Sequence, residues 1–308
     1  MDGLQPPLIL LVGHTQMNKD RNMKLKWLVL LLLSLTTLSV RVFADDSEGF
    51  LFQGSYAPSK TYVTTVSTKS SNSFKLEGKS EDMKDKLKQT QFPIQIEGNQ
   101  TTRMMLTTDK VDEQGNIPFV IKVVENTSSY TMGGKKVPSG PRLEDAALTG
   151  LIDGKTKRIN ILSIKGKDLP PQVEGILTKI FEDAQNQLEF PAYPMKPGDS
   201  FTQRLKLQIP VPGLQPLDFF TIVKYTLKEI EASFAVFDIK IDLELATKNS
   251  ELQMSVEGGG LGTMRFDMKN GLPLYYVSSM DLRFTIDAPD MRFTMKSTFD
   301  TKREYAVE

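Results

Sequence analysis

The chain has no cysteine, and its single histidine and single tryptophan, His14 and Trp27, both fall within the first 44 of 308 residues. Lack of cysteine excludes disulfides, a thiol nucleophile, a thiolate metal site and the acylated cysteine of a lipoprotein anchor. If residues 1–44 are removed, imidazole goes too, and with it a Ser-His-Asp triad or a histidine-ligated metal. A surplus of one charge is also missing. Residues 45–308 carry 33 Lys+Arg against 36 Asp+Glu, not the clustered basic charge that draws a protein to nucleic acid or an anionic membrane. A cysteine-free exported chain is ordinary in a bacterial periplasm and unusual among small eukaryotic secreted domains.

The expected removal rests on Met23–Ala44. Lys24 and Lys26 form a basic head, Trp27 to Leu38 is almost continuously apolar, and Val42-Phe43-Ala44 has small residues where a signal peptidase reads. The apolar run is too short for a permanent span and Arg41 breaks its far end. The sequence therefore predicts a signal peptide over residues 1–44, with Met23 as the true start and 1–22 as an extension. The mature chain begins at Asp45, keeps no integral membrane segment, and is exported to the periplasm or beyond, a bacterial envelope being the expected setting.

What the mature part does have is alternation. Phe237, Ile239, Ile241, Leu243 and Leu245 interleave with Asp238, Lys240, Asp242 and Glu244, a strand with one apolar and one solvated face. Leu282–Asp287 and Met291–Lys296 alternate on either side of Ala288-Pro289-Asp290 and read as a hairpin. Asn270-Gly271 marks another hairpin between Met264–Met268 and Leu274–Val277. Tyr62–Thr68, Gln100–Thr107, Ile117–Val124, Thr149–Ile152 and Ile159–Ile164 read as strands too, with a turn at Glu113–Asn116.

Two segments have helical spacing instead. Val173, Ile176, Leu177, Ile180, Phe181, Ala184 and Leu188 line one face of a helix opened by Pro170-Pro171 and closed by Pro191. A shorter helix starts at Ser80 and uses Met83 and Leu87. The order of strands, turns and glycine-containing strands is similar on both sides of the longer helix, which predicts two imperfect repeats.

The signal peptide, the Pro-Met-Lys-Pro-Gly-Asp-Ser-Phe run at 194–201 and the Gly-Thr-Met-Arg-Phe-Asp…Asn-Gly-Leu-Pro run at 262–273 resemble those of large secreted β proteins of Bacteroidota-type bacteria, a domain of unknown function. The architecture is also similar to the periplasmic lipoprotein-carrier fold. That resemblance implies an incomplete antiparallel barrel wrapping a helix and offering an apolar concave face, and it transfers no residues.

Motifs for chemistry are weak. Gly258-Gly259-Gly260-Leu261-Gly262 lacks the Lys-Ser/Thr of a phosphate-binding loop, and Gly154-Lys155-Thr156 has Thr149 where that motif needs glycine. Both read as turns or bulges bending a sheet. Asp238, Asp242 and Glu244 suit a solvated face better than a calcium site or a glycosidase carboxylate pair. Asn99-Gln100-Thr101 and Asn126-Thr127-Ser128 are sequons of little meaning in a bacterial host. Eleven methionines survive cleavage, several at inward positions, where they give a deformable apolar surface.

The expected fold is mainly β, a curved antiparallel sheet or open barrel in one domain over 45–308. Repeat one covers about 55–170, the amphipathic helix 173–189 packs on the concave face, and repeat two covers about 195–308. A single helix cannot cover the apolar face of such a sheet. The expected function is therefore non-enzymatic, the binding of a lipid or acylated peptide between helix and sheet. Ile180, Phe181, Met264, Met291, Phe293 and Met295 are the expected lining, with no cofactor, metal or nucleic acid. The alternative is a structural or protein-interaction module of the envelope with a fully packed core.

Overall fold

The computed structural model describes residues 40–45, 49–54, 56–88, 91–137, 147–156, 159–165, 190–209, 217–245 and 253–308. The helix expected over 173–189 lies outside them. The described chain is almost entirely strand: β1 Val40–Asp45, β2 Gly49–Gly54, β3 Thr61–Gly78, β4 Ile94–Thr108, β5 Ile117–Met132, β6 Lys135–Val137, β7 Ala147–Ile152, β8 Ile159–Lys165, β9 Ser200–Ile209, β10 Leu217–Glu231, β11 Phe234–Leu245, β12 Gln253–Asp267, β13 Leu272–Asp287 and β14 Met291–Val307. One short helix, α1 Glu81–Leu87, follows Ser80, whose hydroxyl accepts from the Met83 amide. This is the cap its sequence predicts. Among the described residues no helix is long and apolar enough to cross a membrane.

β3 to β14 form one antiparallel sheet, in the spatial order β8-β7-β5-β4-β3-β14-β13-β12-β11-β10-β9, with the short β6 added beside β5. Within each half, alternating side chains and tight turns make most strands fold back on the one before. The Asn270-Gly271 turn is one example, with Gly271 at φ +67° and both Lys269 and Asn270 amides donating to the Asp267 carboxylate. The sheet does not close. Its two edges, β8 and β9, are successive strands in the sequence, while its central pair, β14 against β3, joins distant parts of the chain. Both halves of the meander progress in the same direction across the sheet.

The face that carries the buried apolar residues is called the inner face below. Along the strands it has two ends. The base carries the starts of β3 and β13 and the ends of β12 and β14; the rim carries their opposite ends. Bulges at Arg103/Met104, Arg265/Phe266 and Leu227/Glu229 lie toward the base, where they add bend and twist. The glycine run at 258–262 sits within β12. A Cβ at Gly260 would lie 2.5 Å from the Ser279 carbonyl oxygen, and one at Gly262 would lie 2.4 Å from that of Val277. The run thus lets β12 approach its neighbour more closely than a side chain allows.

Two apolar clusters fill the base. In the first half, Tyr62, Leu106, Ile117, Phe119, Leu148, Ile152 and Ile164 pack together, joined by Leu272 of β13. In the second half, Phe201, Val223, Tyr225, Leu227, Phe237, Ile239, Met264 and Phe266 do so. This second cluster receives side chains from outside the meander. Phe52 of β2 is 2% exposed, with ring centroids 5.2 Å from Phe237 and 5.8 Å from Phe266. Met195 is wholly buried and exchanges two backbone hydrogen bonds with Phe50, of 2.9 and 2.8 Å. Phe190 stacks between Phe52 and Phe201 at 6.0 and 5.2 Å.

Candidate ligand-binding face

The rim end of the inner face is also apolar, but less filled. Phe219, Phe284 and Ile286 are buried, and Leu245, Met254, Val256, Phe293 and Met295 pack around them only partly buried. Register sets this patch. Phe293 lies between Ile286 and Leu76, and Met295 between Phe284 and Phe74, so same-face neighbours on three strands meet. Phe293 is 6.4 Å from Phe74 and 6.5 Å from Phe284, centroid to centroid, and Phe284 is 5.5 Å from Phe219. Half-buried aromatics and methionines in a continuous patch form a deformable apolar surface.

The structure separates the residues expected to line one site. Met291, Phe293 and Met295 share the inner face of β14 at the rim. Met264 belongs to the base, 4% exposed, between Phe237 and Tyr276. Its register line continues through Tyr276 to Arg303, about 33 Å along β14 from Phe293 at 3.3 Å per residue. Ile180 and Phe181 lie outside the described residues. Of the aromatic members of the rim patch that sequence reading left out, Phe74 and Phe284 alternate with polar residues as Phe293 does, while Phe219 is followed by Phe220. Alternation gives a residue's face; only the pairing register gives its level on the sheet.

Between rim and base the first half carries a neutral polar band. The Tyr130 hydroxyl donates to Gln100 Oε1 at 3.2 Å, Gln100 Nε2 donates to Asn126 Oδ1 at 3.1 Å, and Thr102 Oγ1 donates to the same oxygen at 3.0 Å. Burial pushes the Tyr130 phenol up to about 12. Its ring lies over Gly98, where a Cβ would come within 2.6 Å of it. Asn126 of the second sequon is thereby committed inward, whereas Asn99 of the first is exposed. In the middle of the sheet a shallow groove of about 800 Å³ crosses five strands along Gly262, Ser278, Thr301, Thr68 and Gln100, paired in that order. Its lining residues are mostly serine, threonine and other polar types, and it is a different place from the rim patch.

Charge is confined elsewhere. The acidic row of β11 is solvated, with Lys240 at 3.0 Å from Asp242 and Arg204 at 3.0 Å from Glu244. Among the described strand residues the inner face holds two charges, exposed Lys135 of the short edge strand β6, opposite Met132, and buried Arg303. Arg303 donates to the Tyr305 hydroxyl at 3.1 Å and sits 5.6 Å from the centroid of Tyr276. Burial raises the phenol of nearby Tyr225 well above its ordinary value.

No family model matches this chain, and no curated protein does. Among solved structures it is similar to one concerning lipid–protein interactions in lipovitellin, with 12% identity and a TM-score of 0.46 over 82% of this chain. The chain spans 26% of that lipovitellin chain. It is also similar to the transport unit of the autotransporter AIDA-I from Escherichia coli (9% identity, TM-score 0.20, 93% of this chain and 99% of that one). A third likeness is to a β-barrel-like protein of a domain of unknown function from Brucella abortus (14% identity, TM-score 0.13, 75% and 94%). At these TM-scores none of the three likenesses bears on what this chain does.

Proposed function

We propose that this is an exported, non-enzymatic protein that binds an apolar ligand, a lipid or acylated peptide, against the rim of its inner face. One observation carries the reading. At the base, Phe52, Phe190 and Met195 reach in from outside the meander and bury the aromatic cluster. At the rim a patch of similar chemistry has no such insert among the described residues, and Phe293 and Met295 stay partly exposed. An apolar ligand takes there the place that Phe52 takes at the base, with a gain of about 25 cal/mol for each Å² of apolar surface removed from water. Native mass spectrometry of protein purified from its own exported fraction tests this. The expected result is a polypeptide carrying extractable lipid or acylated peptide, lost on Phe293→Glu. A bare polypeptide with an unchanged Phe293→Glu variant would instead favour a structural or interaction module of the envelope.

A further inference from the structure

The rim patch ends on a pair of polar side chains whose chemistry specifies the head of the ligand. Asn72 and Ser297 face each other across β3 and β14 on the inner face, directly below Phe74 and Met295. They are 6% and 2% exposed. The Ser297 hydroxyl has no hydrogen-bond partner, and the bonds linking Tyr130, Gln100, Asn126 and Thr102 do not reach Asn72. A buried polar atom without a partner costs about 1–3 kcal/mol, so a core with no use for this pair is more stable with apolar residues there. Together the two side chains offer an amide carbonyl, two amide N–H groups and a hydroxyl, at the boundary of an apolar surface. Buried Arg303 is about 20 Å further along β14 at 3.3 Å per residue, and exposed Lys135 is three strands away on the register line of Asn72, about 14 Å at 4.8 Å per strand. A charged head at Asn72 would be buried without a counter-charge, at a cost larger than its hydrogen bonds return.

We infer that Asn72 and Ser297 hydrogen-bond the neutral head of an amphiphile, an acylglycerol or similar ester or hydroxyl, whose chain lies on Phe74, Phe293 and Met295. This rests on the proposed function and adds the class of head group. The test is displacement of a fluorescent acyl probe from the full purified protein by monopalmitoylglycerol and by palmitate at pH 8. Monopalmitoylglycerol is expected to bind about tenfold tighter than palmitate, the equivalent of about 1.4 kcal/mol. The double variant Asn72→Leu/Ser297→Ala should lose that preference without a lower melting temperature in the absence of lipid. If that variant does not fold, Ser297→Ala alone carries the test, with about a threefold loss for the glyceride and none for palmitate. Equal binding of both lipids, or a preference unchanged in the variants, overturns the assignment of the head and leaves the apolar site standing. A melting temperature lowered by Ser297→Ala shows that the pair is structural and also overturns it. Failure of both lipids to displace the probe overturns the site together with its head group.

Discussion

The base of the second half and the rim use the same kinds of residue and differ in what covers them. Both are sheets of phenylalanine and methionine brought level by register. The base cluster is closed by Phe52, Phe190 and Met195, so Phe237 and Phe266 have no measurable exposure. The rim cluster has three buried members and a partly exposed surround. A sheet can create an apolar face from its own pattern alone, but it cannot cover that face. Covering takes a further segment or a further molecule, and the two ends of this sheet show the difference.

Removing the insert at the base is the strongest way to break the contrast. Phe52→Ala should destabilise the protein by about 3–5 kcal/mol, as expected for a large side chain deleted from a filled site; urea unfolding measures it, and a loss below about 1 kcal/mol would show the base to be as open as the rim. Between the two ends, Gly98→Ala should cost about 1–3 kcal/mol, because the new methyl group displaces the Tyr130 ring. A neutral result would mean that ring can leave the band without loss. At the rim, Phe293→Ala without lipid should cost about 1–2 kcal/mol, less than Phe52→Ala, since part of its ring is already in water. A cost equal to that of Phe52→Ala would make the rim an ordinary core. The smallest effect is electrostatic and lies at the turn between β13 and β14, beyond Met291 at the rim. The Arg292 guanidinium and then the Lys79 ammonium hold the Asp287 carboxyl below its ordinary value. Its folded value is depressed, so its contribution is full above the unfolded value near 3.9 and disappears as pH falls through the folded one. Asp287→Asn should therefore slightly lower the melting temperature at pH 7, with the difference from wild type shrinking once the pH falls below the ordinary carboxylate value of about 3.9.

Much of the sheet was legible because strand grammar is local. The alternation of 237–245, 282–287 and 291–296 and the turns at 113–116, 270–271 and 288–290 all correspond to strands and connections in the fold, and Ser80 caps its helix. Strand order was not legible, since nothing in Thr61–Gly78 names Met291–Val307 as its neighbour. Nor was the role of Phe52, a short apolar segment just after the expected cleavage point that packs against residues nearly two hundred positions away. The candidate lining divides the same way. Met291, Phe293 and Met295 share one strand and stay together, while Met264 shares only their face and chemistry, and register carries it to the other end.

The β3–β14 pair at the centre of the sheet has a consequence for how the chain assembles. Each half can form from hairpins between neighbours in sequence, which close small loops quickly. The central pair joins Gly78 to Met291, 213 positions apart, and must wait for β14 to be synthesised. Until then β3 presents an unpaired edge able to template pairing with other chains. In most meanders the final strand is an edge, and trimming it costs one ladder. Here, loss of the 17 residues of β14 removes the seam between the halves and divides the sheet into two.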